Sequence, residues 1–331
     1  MWDPDLIFDT SKNYFTEHVG ERVLAPTWGG YKDMKEIPLS LSYLQEAKRA
    51  GMKITPLLHN DFDLQETKKF LHDSGAVQNL ARQITATALV YDFDGWNLDF
   101  ENMDEADKFL YTKFIKTVSE KLHMHGKEIS VDVTVNSNSP NWSLCYDREG
   151  MAAYVDYEVI MGYDQTPGGS RYSGPVSSYS WLKHHIAMLL KQVPNNKLVL
   201  GLPFYTRIWT GKEGQAASSV LMTKQIKSLL GQNNIGLFWN PEDRQYVGIW
   251  EENGQTRKVW LEERRSLQEK VSLAHDYKLA GLAFWRYGFE TEDIYDQIEG
   301  AFLNKKDESV RYKNRSEDIL IKFRERLKRA Q

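Results

Sequence analysis

The sequence predicts one (β/α)8 barrel, the α/β fold that is also called a TIM barrel. Short apolar segments that resemble strands alternate with segments of helical periodicity along most of the 331 residues. Repeated strand–helix units build parallel sheets. The sequence has eight strand-like segments, and eight parallel strands close a (β/α)8 barrel. An open, doubly wound sheet is the alternative. It usually carries a glycine-rich phosphate loop after its first strand, and none follows the first strand here.

Each predicted strand is a short, mainly apolar run. In chain order the strands are "MWD" at the first residue, "RVLAPTW" near Arg22, "KITPLL" from Lys53, "GWNLDF" from Gly95, "ISVDVTV" from Ile129, "YEVIMGY" from Tyr157, "KLVLGLPFY" from Lys197 and "LAGLAFW" from Leu279. The predicted helices between them include "SLSYLQEAKRAG", "AVQNLARQITATAL" and "DEADKFLYTKFIKTVSEKLHMHG". Gly51 and Gly126 follow two of these helices and are C-terminal stop signals.

One segment, residues 208–265, interrupts the alternation of strands and helices. It contains "VLMTKQIKSLLGQ" and then "YVGIWEENGQTRKVWLEE". The second piece predicts a hairpin, with Asn253-Gly254 as the turn. We therefore predict a small α+β insertion between strands seven and eight. The catalytic barrel would span residues 1–303 including this insertion, and residues 304–331 would form a charged helical tail.

The C-terminal tail differs in composition from the rest of the chain. Residues 305–331 hold ten Lys or Arg and five Asp or Glu, so the tail is +5, and the remainder is −9 because the whole chain is −4. Leu320, Phe323 and Leu327 have helical spacing, and Ser316 is a candidate N-cap. The favoured interpretation is a helix packed on the barrel with a solvated basic face. The alternative is an anchor to an anionic polymer such as cell wall.

Composition excludes several classes of function. A net charge of −4 gives the molecule no general attraction to nucleic acid, and no apolar run is long enough for a membrane span. The single cysteine, Cys145, excludes an internal disulfide and a metal site of several cysteines. We predict no metal, no other cofactor and a monomer.

The abrupt start of the sequence suggests that an upstream segment has been removed. The missing signal peptide therefore says little about the cell compartment.

The segment "YDFDGWNLDFEN" carries the candidate chemistry. Successive side chains of a strand point to opposite faces, and here Trp96, Leu98 and Phe100 alternate with Asn97, Asp99 and Glu101. In a barrel the apolar face packs on helices and the polar face points inward. Buried carboxylates are costly unless they are paired or neutralised, and Glu101 comes last, at the mouth where barrel enzymes have their sites. In an antiparallel sheet the same alternation would only indicate an exposed polar face.

Glu101 has the properties of a proton donor. Side chains at i and i+2 lie about 6.6 Å apart along a strand, so Asp99 can reach Glu101. A neighbouring carboxylate raises the pKa of its partner, which suits a general acid near neutral pH.

"DGWNLDFE" also resembles the catalytic strand of glycoside hydrolase family 18, whose pattern is Asp-Gly-x-x-x-Asp-x-Glu. "MGYDQ", "LVLGLPFYTRIW" and "AGLAFWRYGFE" resemble the sixth, seventh and eighth strands of that family. The resemblance covers about Trp2 to Leu303, includes the insertion before the eighth strand and leaves out the basic tail. It implies the barrel fold and the hydrolysis of glycosidic bonds.

Within the family, the chain is most similar to bacterial enzymes of spore cortex and peptidoglycan. "NWSLCYDREGMAAYVDY", "ITPLLHN" and Asn97 are typical of that branch. Typical chitinases have Ser-x-Gly-Gly at the third strand and Asp at the position of Asn97, so the chain departs from a chitinase at both places. Relatives in the branch often carry LysM wall-binding repeats, and this sequence contains none.

The resemblance implies substrate-assisted catalysis. Glu101 would protonate the glycosidic oxygen and later activate water. The acetamido oxygen of the sugar would attack the anomeric carbon to form an oxazolinium ion. Asp99 would hold the acetamido N–H, and the Tyr163 hydroxyl would orient the acetamido oxygen. Asn97 replaces a carboxylate and is expected to hydrogen-bond Asp99 without sharing its charge.

Further candidates for holding the sugar lie at strand ends. They are Asp164, Tyr205, Arg207 and Trp285, with Trp28 and Asn60 as additional candidates on strands two and three. Tyr205 and Arg207 could instead form a structural pair, and Trp285 could be part of the core. The expected partner is a polysaccharide in the cell envelope, the spore or the extracellular space. A chitinase, an endoglycosidase on N-glycans and a lectin without catalysis are the alternatives, and the presence of Glu101 argues against the lectin.

Overall fold

The computed structural model of the chain describes residues 4–9, 22–34, 41–232, 235–291 and 294. The predicted strand at residues 1–3 and the predicted tail at 304–331 lie outside the described residues.

Within these residues, nine strands form one curled sheet and five form a second sheet. In chain order the strands are β1 Pro4–Asp9, β2 Arg22–Gly30, β3 Lys53–Ile54, β4 Leu57–His59, β5 Gly95–Asp99, β6 Glu128–Thr134, β7 Tyr157–Met161, β8 Leu198–Pro203, β9 Tyr205–Thr210, β10 Ala217–Met222, β11 Gly236–Asn240, β12 Gln245–Glu252, β13 Gln255–Trp260 and β14 Gly281–Trp285.

The larger sheet is a barrel with the order β1-β14-β8-β7-β6-β5-β4-β2-β3, and a second pairing of β1 with β2 closes the ring. Neighbouring strands from β2 round to β14 are parallel. This arrangement is the predicted (β/α)8 fold. The first strand differs, because β1 runs antiparallel to both of its neighbours. An antiparallel ladder pairs the main-chain groups as a parallel one does, so either direction of β1 closes the ring.

The third predicted strand, "KITPLL", is divided into β3 and β4. Pro56 lies between them and has no N–H to donate to a ladder. The main chain remains paired around this break, because Thr55 N donates to Leu24 O and Asn97 N donates to Pro56 O. One interrupted strand therefore occupies a single place in the barrel.

Eight α-helices lie within the described residues. They are α1 Leu41–Arg49, α2 Leu64–His72, α3 Ser74–Val90, α4 Lys108–His123, α5 Arg148–Ala152, α6 Tyr179–Leu189, α7 Ile226–Gln232 and α8 Arg264–Asp276. Gly51 and Gly126, which follow α1 and α4, have φ angles of 76° and 64°. Glycine adopts this left-handed conformation readily, which confirms both predicted stop signals. No helix in the described part of the chain is both long and apolar enough to span a bilayer.

The insertion is a five-stranded antiparallel sheet with the order β10-β9-β13-β12-β11. The predicted hairpin is confirmed: β12 and β13 are joined at Asn253 and Gly254, whose φ angles are 52° and 73°. Positive φ at both central residues is typical of a type I′ turn. The sheet begins at Tyr205, earlier than the predicted residue 208, so two candidate site residues lie on the insertion's own strand β9.

The barrel has an apolar layer on each face of its strands. Trp96, Leu98 and Phe100 are fully buried in the layer that packs on the helices, as predicted from their alternation. Small aliphatic residues form a separate cluster in the interior: Val23, Ala25, Val159, Val199, Ala280 and Ala283. The polar side chains of β5 point into the same interior, where Asn97 meets Ser130.

Candidate active site

The inward face of β5 continues into the mouth of the barrel. Asn97 is 2% exposed, and Asp99 Oδ1 is buried without a hydrogen-bond partner among the described residues. Behind the strand, Trp96 Nε1 donates to Ile84 O of α3 at 3.0 Å. This bond and the packing of the apolar face hold the strand, so its polar side chains have little freedom to turn outward.

Glu101 follows β5 and is held through its main chain by Asn60. The Glu101 N–H donates to Asn60 Oδ1 at 3.0 Å, and Asn60 Nδ2 donates to Glu101 O at 2.7 Å. Asn60 Nδ2 also donates to Thr67 Oγ1 at 2.9 Å, and Asn60 is only 1% exposed. The prediction that Asn60 contacts sugar is therefore corrected: its buried amide bonds the protein and positions Glu101.

The carboxyl groups of the site have raised pKa values. Burial raises the pKa of Glu101 well above its usual value, and nearby carboxylates add to the shift. These carboxylates are Asp99, Asp132 and Asp164. Burial also raises the pKa of Asp99 and of Asp132. A cluster of this kind can keep a proton on a carboxyl group at neutral pH, as a general acid requires.

Asn97 does not have the predicted partner. Its Nδ2 donates to Asp132 Oδ2 at 2.8 Å, and its Oδ1 accepts from Ser130 Oγ at 2.7 Å. Both partners lie on β6. The expected hydrogen bond to Asp99 is absent among the described contacts, because the amide group faces the neighbouring strand.

Near Glu101, Tyr205 and Arg207 meet at Asp164, and Tyr163 packs on Tyr205. Tyr205 Oη donates to Asp164 Oδ1 at 2.9 Å, and Arg207 Nη2 lies 3.4 Å from the same oxygen. The Tyr163 and Tyr205 rings meet edge to face at 6.3 Å. Tyr205 and Arg207 thus act on a common carboxylate, which is itself half exposed towards the mouth.

Gly201 on β8 gives the Tyr163 ring its space. A Cβ at position 201 would lie 3.4 Å from Tyr163 Cε1 and 2.5 Å from Ile160 O. The second distance is a clash with main chain, so any side chain at this position would shift the strand that leads to Tyr163.

Trp285 and Trp28 lie on opposite sides of the barrel wall. Trp285 ends β14 on the same face as Ala283, which belongs to the interior layer, and it is half-buried. Trp28 is 3% exposed on the helix side, with ring centroids 5.5 Å from Trp96 and 5.8 Å from Phe93. Trp285 can therefore meet a ligand, whereas the prediction that Trp28 binds substrate is corrected to a role in the core.

Sequence reasoning missed Asp132 and an exposed aromatic pair at the mouth. Asp132 stands in "ISVDVTV" as a polar residue among alternating apolar ones, the same signal that singled out β5. Phe62 is 54% and Trp142 41% exposed, with ring centroids 6.1 Å apart. Asn102, next to Glu101, donates to Phe62 O at 2.8 Å, which fixes this pair beside the carboxyl cluster.

Comparisons with known proteins agree with this geometry. A family profile described as "Glycosyl hydrolases family 18" matches residues 41–290. Glycosylase YvbX of Bacillus subtilis is 26% identical over 265 residues, which are 77% of this chain and 76% of that protein. The cortical fragment-lytic enzyme of Bacillus subtilis is 25% identical over 246 residues. That match covers 72% of this chain but only 56% of the relative, so the chain spans about half of its length.

Solved structures show the same fold. The crystal structure of the glycosylase YdhD from Bacillus subtilis matches with a TM-score of 0.76 at 20% identity. The match covers 86% of this chain and 96% of that chain.

Proposed function

Because the chain belongs to glycosyl hydrolases family 18, we propose that it cleaves β-1,4 bonds next to N-acetylglucosamine in peptidoglycan by retaining, substrate-assisted catalysis. Membership of the family makes the chain a glycoside hydrolase related to spore cortex-lytic enzymes. The bond, the glycan and the mechanism are the proposal.

The placement of Glu101 is the observation that carries the proposal. The side chain sits at the carboxyl end of a barrel strand, its main chain is fixed by Asn60, and burial favours its protonated form. A carboxyl group that keeps its proton near neutral pH can donate it to the glycosidic oxygen as the bond breaks. The carboxylate that results can then accept a proton from the attacking water.

The remaining steps use the sugar's own acetamido group as the nucleophile. Its oxygen attacks the anomeric carbon and forms an oxazolinium ion. Asp99 accepts the acetamido N–H and stabilises the positive charge that develops. Tyr163 donates to the acetamido oxygen and orients it for attack. Water then opens the oxazolinium ion with Glu101 as the base, so the anomeric configuration is retained.

Other residues hold the sugar in this proposal. Trp285, half-buried on the inner face of the last strand, supplies an aromatic surface beneath the ring. Asp164 faces the mouth, and the hydrogen bonds from Tyr205 and Arg207 hold it in place. Tyr205 and Arg207 therefore act on the sugar through Asp164 as well as by contact.

The names of the relatives support peptidoglycan of spore cortex or cell wall as the substrate, because one of them is a cortical fragment-lytic enzyme. The same names support a location at the spore or cell envelope. Digesting purified cortex peptidoglycan, vegetative wall peptidoglycan and chitin oligomers in parallel, with mass spectrometry of the products, tests the substrate. Release of reducing N-acetylglucosamine ends from peptidoglycan supports the proposal, whereas cleavage of chitin oligomers alone identifies a chitinase.

The nucleophile has its own test. A β-linked substrate with N-acetylglucosamine and a glucose analogue of equal length differ only in the acetamido group. We expect cleavage of the first alone, and we expect a thiazoline analogue of the oxazolinium ion to compete with substrate. Comparable cleavage of both substrates would point to a nucleophile on the enzyme.

A further inference from the structure

Asp132 is a buried carboxyl group next to the site, and the proposed mechanism gives it no role. It is 8% exposed, and its Oδ2 accepts from Asn97 Nδ2 at 2.8 Å. The other side of the Asn97 amide accepts from Ser130 Oγ. Since Oδ2 of Asp132 accepts from the Asn97 NH2 group, Oδ1 of Asp132 is left for another partner.

The strand register sets Asp132 beside Asp99. In the parallel pair β5–β6, Asn97 is opposite Ser130 and Leu98 is opposite Val131. The next step along both strands pairs Asp99 with Asp132. Both side chains are on the inner face, since Asn97 and Ser130 already meet there. Neighbouring strands lie about 4.8 Å apart, so the two carboxyl groups are adjacent.

Two adjacent buried carboxyl groups do not both ionise at neutral pH. They titrate as a pair that shares one proton. Burial raises the pKa of Asp132, and the charge of Asp99 raises it further. Meanwhile Asp99 Oδ1 is a buried acceptor without a donor among the described residues, and an unsatisfied buried acceptor is costly. A proton on Asp132 Oδ1 would supply the missing donor.

We propose that Asp132 is a positioning residue that remains protonated and donates a hydrogen bond to Asp99, which stays anionic to receive the acetamido N–H. This inference rests on the proposed role of Asp99. Asn97 donates to Oδ2 of Asp132, so the proton of Asp132 is on Oδ1. This hydroxyl is directed towards Asp99. No bond is made or broken in this step, because the O–H of Asp132 stays intact while Asp99 keeps the negative charge.

The groups around Asp99 and Asp132 are compatible with one proton on this pair of carboxyl groups. On β7 the residue opposite Asp132 is apolar Val159, and on β4 the residue opposite Asp99 is His59, whose Nδ1 lies 3.1 Å from Asp61. The other titratable groups that interact electrostatically with Asp99 or Asp132 are Glu101, Tyr111 and Tyr146. None of them is a cation placed to neutralise a second negative charge on Asp132.

Two variants of Asp132 distinguish a role as hydrogen-bond donor from a role as negative charge. Asp132→Asn keeps an N–H donor for Asp99 and an acceptor for Asn97 without any charge, so we expect its kcat and KM to stay within about 3-fold of wild type. Asp132→Leu keeps the branch at Cγ, is larger and has no donor. We expect its kcat to fall roughly 10- to 100-fold with KM little changed, because a hydrogen bond to a charged group is lost. Asp156→Asn makes the same substitution just before the amino-terminal end of β7, where Asp156 accepts from Ile129 N, and as the control it should keep the kcat of wild type.

The opposite pattern would overturn the proposal. Equal loss in Asp132→Asn and Asp132→Leu would mean that a charged Asp132 is required, and wild-type kcat in Asp132→Leu would mean that Asp132 has no role. Melting temperatures identify a variant that fails to fold.

A titration decides the same question without activity. In protein labelled with ¹³C at Asp carboxyl carbons, NMR should show a carboxyl group that stays protonated through pH 7 and is absent in Asp132→Asn. If every Asp is ionised at pH 7, the proposal is wrong. If wild type cleaves none of the glycans, the proposed function fails, and this titration still decides the state of Asp132.

Discussion

Asn60→Ala distinguishes a residue that positions Glu101 from one that contacts sugar. The substitution removes two hydrogen bonds to the Glu101 main chain and one to Thr67. A net hydrogen bond contributes about 0.5–1.5 kcal/mol, and a buried group left unsatisfied costs about 1–3 kcal/mol. We therefore expect the free energy of unfolding to fall by about 2–4 kcal/mol.

The effect on turnover should be specific to kcat. A freed Glu101 main chain lets the carboxyl group leave its productive position, so we expect kcat to fall by roughly 10-fold or more. KM should change little, because the buried amide does not reach substrate. Thr67→Val is the matched control, since it removes only the bond from Asn60 to Thr67 and should leave kcat near wild type.

Steady-state kinetics on a soluble N-acetylglucosamine oligomer and denaturant unfolding measure these two quantities. A raised KM with unchanged kcat would refute the positioning role and restore the sugar contact predicted from sequence. Lower stability with unchanged kcat and KM would show that the bonds to Glu101 matter for folding alone.

Two further predictions concern stability and the two tryptophans. Glu158 is fully buried with both carboxyl oxygens unpartnered among the described residues, and burial raises its pKa to about 8 from 4.5. Between these values the folded state keeps a proton that the unfolded state has lost, so the stability from this group falls as pH rises. Glu158→Gln should equal wild type near pH 4 and exceed it by up to about 5 kcal/mol at pH 9; a constant difference in denaturation midpoints would contradict this. Trp285→Ala should lower kcat/KM by roughly 10-fold or more, whereas Trp28→Ala should lower stability by about 3–5 kcal/mol and leave KM unchanged. The reverse pattern in kinetics and melting would contradict the placement of these residues.

Alternation along single strands made much of the fold and part of the site predictable. Trp96, Leu98 and Phe100 pack against the helices as their period of two requires. The turn at Asn253 and Gly254 was predictable because few residue pairs adopt positive φ at both positions. Such signals are local, so one sequence is sufficient to find them.

Contacts between strands were not predictable, because they depend on register. The Asn60 amide meets the Glu101 main chain across 41 residues of sequence, and nothing near either residue indicates the other. The partners of Asn97 depend on which residues of β6 lie opposite it. Trp28 stands near the end of its strand, as a sugar-binding residue would, but its side chain points outward next to an irregularity between Thr27 and Gly29.

Asp132 could have been found from its own strand. In "ISVDVTV" a carboxyl group replaces an apolar residue on the face that points into the barrel. Asp99 shows the same pattern on β5, and burial of a carboxyl group is costly wherever it occurs. Its link to Asp99, however, required the register of β5 and β6.

Turnover of Glu101→Gln on an N-acetylglucosamine-containing glycan tests the central claim most directly. Gln keeps the shape of the protonated carboxyl group and the main-chain bonds to Asn60 but cannot transfer a proton. Removal of a general acid–base group costs about 10²–10⁴ in rate. We expect kcat to fall by at least that much while glycan binding and melting temperature stay near wild type. Near-wild-type turnover by a folded Glu101→Gln protein would contradict the account.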